Sequence, residues 1–89
     1  MTVETIYLDG GLLKNRDEAM EILERALGLP LWWGYNLDAL HDCLTDVGRP
    51  VRLELCGRAE LETTPFGRTL LQVFRDSAAE TPWLELVTD

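Results

Sequence analysis

The sequence predicts an α/β fold, a small three-stranded parallel sheet with three to four helices packed on it. Two observations carry that prediction. Strand-like runs stand at Thr2 to Leu8, Val51 to Leu55 and Pro82 to Val87, and between them apolar residues recur at helical spacing. Strands separated by helices must be joined by crossovers, so neighbouring strands run parallel with right-handed connections. The chain of 89 residues, 46% of them hydrophobic, is expected to form one domain over residues 1–89.

Each element has its own signal. "TVETIYL" is rich in β-branched and aromatic residues and runs into the turn Asp9-Gly10-Gly11. Asn15 with Glu18 three residues on resembles a capping box, and Met20, Leu23 and Leu27 follow at helical spacing. Gly28 and Pro30 then end a helix from about Arg16 to Leu27. "LPLWWGYN" is a loop bracketed by Pro30 and Gly34. From about Asn36 to Thr45, Leu37, Leu40 and Leu44 form the inner stripe of a second helix. "VRLEL" alternates as a strand does, and "RAELE" is a single helical turn. Thr64 before Pro65 is an N-cap with proline in the first helical position. Phe66, Leu70, Val73 and Phe74 give the following helix, to about Ala79, its apolar face. "PWLELV" closes the chain as a strand expected to have both faces partly covered.

Charge narrows the function classes. Sixteen acidic against eight basic residues leave −8, which argues against direct binding to nucleic acid or an anionic membrane and favours a cationic partner. No apolar run approaches the roughly 20 residues that span a bilayer, and Met1 leads straight into a strand without a charged, apolar-centred leader. The expectation is a cytoplasmic protein. Cys43 and Cys56 are too few for a disulfide framework and are read as buried thiols.

The stretch "LPLWWGYNLDALHDCLTD" concentrates what remains. Asp38, Asp42 and Asp46 stand four apart, mainly away from the leucine stripe, so they are expected on the exposed ridge of the second helix. Each like-charge pair at that spacing costs roughly 0.2–0.5 kcal/mol, and Asp46 meets the negative end of the helix dipole. A cationic ligand would offset that cost; a solvated face on an acidic protein accounts for the charges as well. Trp32 and Trp33 point in opposite directions in an extended loop, so at least one is expected to show a face beside the ridge. Exposed aromatic groups beside carboxylates suit a protein interface.

Enzymatic readings have less support. His41 and Cys43 lie about 200° apart around a helix and cannot form a nucleophile–base pair, while His41, Cys43 and Cys56 are too few and poorly spaced for a zinc site. No phosphate-cradling glycine loop is present. The reading is a protein that is not an enzyme and needs no cofactor.

The same residues resemble a known signature. "LPLWWGYNLDALHDCLTD" looks like that of the barstar family, intracellular inhibitors of the secreted bacterial ribonuclease barnase, and "LLQVFRDSAAE" is similar to the family's last helix. The resemblance implies a three-stranded parallel sheet with helices on it. It also implies one-to-one occlusion of a basic ribonuclease's active site by the second helix and the aromatic loop before it. The ribonuclease-binding residues it implies are Trp32, Trp33, Gly34, Asn36, Asp38, His41, Asp42, Thr45 and Asp46, with Asp76 from the last helix. Asp42 matches the most deeply inserted carboxylate. Where the family has tyrosines, tryptophan, glycine and glutamate, this chain has Trp32 and Trp33, His41, Asp46 and Asp76, respectively. The alternative is a non-inhibitory module of the same fold whose acidic face docks on another basic protein.

Overall fold

The computed structural model describes residues 3–29, 33, 34 and 36–89. Three strands, β1 (Glu4–Asp9), β2 (Val51–Cys56) and β3 (Leu84–Thr88), form a sheet in the order β1-β2-β3 with both pairings parallel. Among the described residues, four α-helices connect them: α1 (Arg16–Leu27), α2 (Leu37–Thr45), α3 (Arg58–Leu61) and α4 (Pro65–Glu80). The expected three-stranded parallel α/β architecture is what the chain forms.

Register explains how the sheet is covered. Ile6, Leu53 and Leu86 share one row, and Leu8 and Leu55 share the next. The buried core joins Leu8, Val51, Leu53, Leu55 and Leu84 to Leu23 of α1, Leu40 and Leu44 of α2, Leu61 of α3, and Leu70, Leu71 and Phe74 of α4. The helices therefore lie on one face. The opposite parity, with rows Thr5–Arg52–Glu85 and Tyr7–Glu54–Val87, is left to solvent, and Tyr7 is 73% exposed. Parallel sheets are usually covered on both faces. Here only Leu84 and Leu86 of β3 face the helices, so the expectation that both faces of that strand are partly covered is corrected.

Cys56 is a second correction. Strand alternation places it with Arg52 and Glu54 on the open side, and it is exposed. Cys43 is half-buried, and both are free thiols.

Local signals act at the helix ends. Asn15 Oδ1 accepts from Asp17 N–H at 3.0 Å, starting α1. Gly28 takes the left-handed conformation (φ 62°), and Leu29 N–H returns to the Glu24 carbonyl at 3.0 Å, ending it. Thr64 has two tasks: its hydroxyl accepts from Gly67 N–H at 3.0 Å, capping α4, and donates to the Lys14 carbonyl at 2.9 Å, tying that cap to the entry of α1. Gly67 is buried so tightly that a Cβ there would collide with the Leu61 carbonyl oxygen. The approach of α3 to the first turn of α4 thus requires glycine.

Asp89 fastens the far end of the sheet. Its carboxylate accepts from Gly57 N–H and Arg58 N–H, both at 3.0 Å. The Arg58 N–H first, then the Gly57 N–H, hold its carboxyl below the usual range, with its own backbone N–H and the Arg58 charge adding less.

Two outcomes follow. Gly67→Ala lowers unfolding free energy by about 1–3 kcal/mol in urea melts through overpacking against Leu61; an unchanged midpoint contradicts the packing. Because Asp89 titrates lower in the folded chain, its contribution is present at neutral pH and disappears as pH falls through the folded value. Asp89→Asn therefore loses less melting temperature than the parent between about pH 7 and pH 3; equal losses contradict the clamp.

Candidate functional site

The face assembled around α2 begins with its cap. Asn36 Oδ1 accepts from Ala39 N–H at 2.7 Å, and its Nδ2 donates to the Gly34 carbonyl at 3.4 Å. Gly34 sits at φ 86°, a backbone conformation that favours glycine. Gly34 and Asn36 are both exposed, and they shape the entry to the helix.

Trp33, three residues before that cap, is held by α1. Trp33 is only 2% exposed, and its Nε1–H donates to Glu24 Oε2 on α1 at 3.0 Å. Trp33 is thus not the tryptophan that shows a face: its indole lies in the core, because burial of its large apolar surface is favourable once its one polar atom has an acceptor. Trp32 lies outside the described residues.

Leu40 and Leu44 are buried and Leu37 is half-buried, which turns the carboxylates outward. Asp38, Asp42 and Asp46 are all exposed, and the Asp42 side chain keeps 86% of its accessible surface. The three do not form one straight ridge. Four residues advance a helix by about 40° beyond a full turn, so the row drifts. Asp46 has already left the helix as its C-cap, with its N–H on the Asp42 carbonyl at 3.1 Å.

Asp38 lies in the first turn of α2, where an anion is favoured, whereas the last turn holds no basic residue to offset Asp42 and Asp46. The electrostatic cost is therefore concentrated at the C-terminal end. Thr45 is half-buried, and its hydroxyl reaches the carbonyls of His41 (3.0 Å) and Asp42 (3.2 Å).

His41 is half-buried between helices, a refinement of its expected place on the exposed side. Its Nε2 lies 2.8 Å from Glu80 Oε2 on α4, and its Nδ1 lies 3.8 Å from Asp42 Oδ1. Glu80 is the residue that reading the sequence missed, since nothing local links positions 41 and 80. Asp76, one turn earlier on the same ridge of α4, is exposed and accepts from Gln72 Nε2 at 2.8 Å. The packing of α2 on α4 thus adds Asp76 and Glu80 to the acidic flank of the molecule.

On the other side of α2, Leu27, Leu29, Cys43, Asp46, Val47 and Arg49 line a cleft of about 290 Å³. Burial, then Asp42, then Asp46 push the Cys43 thiol above its ordinary value, the opposite of what activates a nucleophile. His41 turns toward α4 while Cys43 lines this cleft, so the two do not form a dyad. Among the described residues no group of three His, Cys, Asp or Glu side chains could hold a metal ion, and no helix is long and apolar enough to cross a membrane.

The arrangement is an exposed carboxylate array on a buried leucine stripe, preceded by a loop anchored through Trp33. Its chemistry is that of a surface for cationic groups. A family profile described as Barstar (barnase inhibitor) matches residues 3–85, a span that holds β1, β2, α1 to α4, the first two residues of β3 and every carboxylate of the array. Across that span, this chain belongs to the Barstar (barnase inhibitor) family.

Proposed function

We propose that this chain inhibits a basic, barnase-like ribonuclease by inserting the acidic face of α2 into its active site in a one-to-one complex. The observation that carries the reading is Asp42, a carboxylate projecting into solvent from the end of α2 where the helix dipole disfavours it. Such a group is held in readiness for a cation at no cost of rearrangement. Asp38, Asp46 and Asp76 are further acceptors for arginine and lysine groups that otherwise bind RNA phosphates, so the carboxylates stand in for the substrate's charge.

Gly34, Asn36 and Thr45, at the two ends of α2, are proposed as further contacts whose backbone and side-chain oxygens can accept from the partner. Trp32 is proposed as the aromatic contact and Trp33 as its buried support. Specificity among ribonucleases would then rest on Trp32, His41, Asp46 and Asp76. The family match supports inhibition as the purpose of the acidic face, and the chain's net charge of −8 supports electrostatic steering toward a basic enzyme. The protein would act in the cytoplasm, on ribonuclease that has not left the cell.

Asp42→Ala weakens binding to the ribonuclease by at least about 2 kcal/mol, roughly thirtyfold in Kd, with most of the change in dissociation rate. Calorimetry and stopped-flow mixing measure both, and wild-type affinity in the variant removes Asp42 from the centre of the interface. Raising ionic strength from about 0.01 to 0.15 M, which shortens the screening length from about 30 to 8 Å, slows association and leaves dissociation nearly constant. An association rate indifferent to salt contradicts steering.

A further inference from the structure

The contact between His41 and Glu80 gives the acidic face a property that its carboxylates alone do not have. The ring is wedged between α2 and α4 with 28% of the side chain exposed. Of the carboxylates that approach it, Asp42 comes from α2 and Glu80 from α4; Asp38, one turn earlier on α2, is exposed. Asp76, the next carboxylate along α4, is engaged with Gln72. The two close approaches are unequal: Nε2 is 2.8 Å from Glu80 Oε2, and Nδ1 is 3.8 Å from Asp42 Oδ1.

A neutral imidazole has one N–H and can serve only one of these carboxylates. With the hydrogen on Nε2 it faces Glu80, and the Nδ1 lone pair is left toward Asp42. The doubly protonated ring keeps its Nε2–H on Glu80 and also turns Nδ1–H toward Asp42, 3.8 Å away. In that state the imidazolium is an internal counter-charge for Asp42.

We infer that His41 couples capture of a cationic partner by Asp42 to the release of one proton, with Glu80 holding the ring in place. The inference rests on the proposed docking of the acidic face on a basic ribonuclease. A guanidinium or ammonium group arriving at Asp42 takes over the carboxylate that Nδ1–H faces and brings a like charge beside the ring. The proton leaves Nδ1 for bulk water, and the neutral ring keeps its Nε2–H on Glu80. No bond other than N–H breaks, and one positive charge on α2 is exchanged for one from the partner.

The direction with pH follows from the proton count. The complex holds one proton fewer than the free proteins, so association is favoured as pH rises. Where the free ring is already neutral there is no proton to release, and His41 adds no slope. Where the free ring is charged, Kd rises by up to about tenfold for each unit that pH falls. His41 is therefore a specificity and positioning residue: it makes inhibition by this chain weaken in acid, which a neutral side chain at the same place would not do.

The test compares wild type with His41→Gln, using barnase as the probe, with Kd measured by calorimetry at intervals between about pH 5 and pH 8. Titrations belonging to barnase are common to both, so the readout is the ratio of wild-type Kd to variant Kd. The expected result is a ratio that climbs by up to about tenfold per unit as pH falls and levels off at the alkaline end of the series. A ratio independent of pH overturns the inference. Ring nitrogen-15 shifts at about pH 5.5 give a second reading in the unmutated protein, with both nitrogens protonated when free and Nε2 alone when bound. A ring doubly protonated in both states also overturns it. If barnase forms no complex, the inhibitor reading fails for that enzyme, and the same ring signals are followed as poly-L-arginine is added to the free protein. Loss of the Nδ1 proton as the Asp42 signals move supports the coupling, and an unchanged ring refutes it.

Discussion

Burial of Leu40 and Leu44 is the interaction on which the rest depends. A nine-residue helix has little stability of its own in water. This one also carries two aspartates at a repelling spacing, with a third at its C-cap and no basic residue in its last turn. Removing each leucine from water contributes about 1.5–3 kcal/mol, against a few tenths for each like-charge pair. The hydrophobic term wins by a wide margin. That margin lets α2 display Asp38 and Asp42 in a fixed arrangement that its own electrostatics would not choose.

The neighbouring elements extend the same logic. Trp33 is packed into the core and fastened by Glu24, so the chain is anchored three residues before the Asn36 cap. Asn36 caps the helix and grips the Gly34 carbonyl, fixing where the helix starts. On the other side, α4 packs against α2 and contributes Glu80, whose carboxylate meets the His41 ring. A face supported on three sides loses little conformational freedom when a partner arrives, which favours tight binding from a small surface. The supporting groups are apolar or internally satisfied, while the groups left in water are anionic.

Much of this was legible in the sequence because it is local. The leucine spacing turned Asp38 and Asp42 outward, Asn15 and Thr64 marked helix starts, and strands parted by helices required a parallel sheet. Period-two alternation also carried the exposure of Cys56, since it shares the parity of Arg52 and Glu54, but a general preference of thiols for the interior was given more weight. The open face of β3 was hidden for a different reason: Trp83 and Val87 are large and apolar, yet both stay partly in water because the described helices pack on the other side. The buried position of Trp33 depends on an acceptor nine residues upstream, which adjacency to Trp32 does not reveal. Glu80 depends on the docking of two helices from distant parts of the chain, and no spacing rule reaches that far.

The central claim is that the acidic face of α2 fills the active site of a ribonuclease. It is tested most directly by following RNA cleavage by a barnase-like ribonuclease as the purified chain is titrated into it. The account predicts that activity falls linearly and reaches zero at one equivalent. Full activity in the presence of saturating chain, with binding demonstrated in the same solution, would contradict it, because the acidic face would then dock somewhere other than the catalytic cleft.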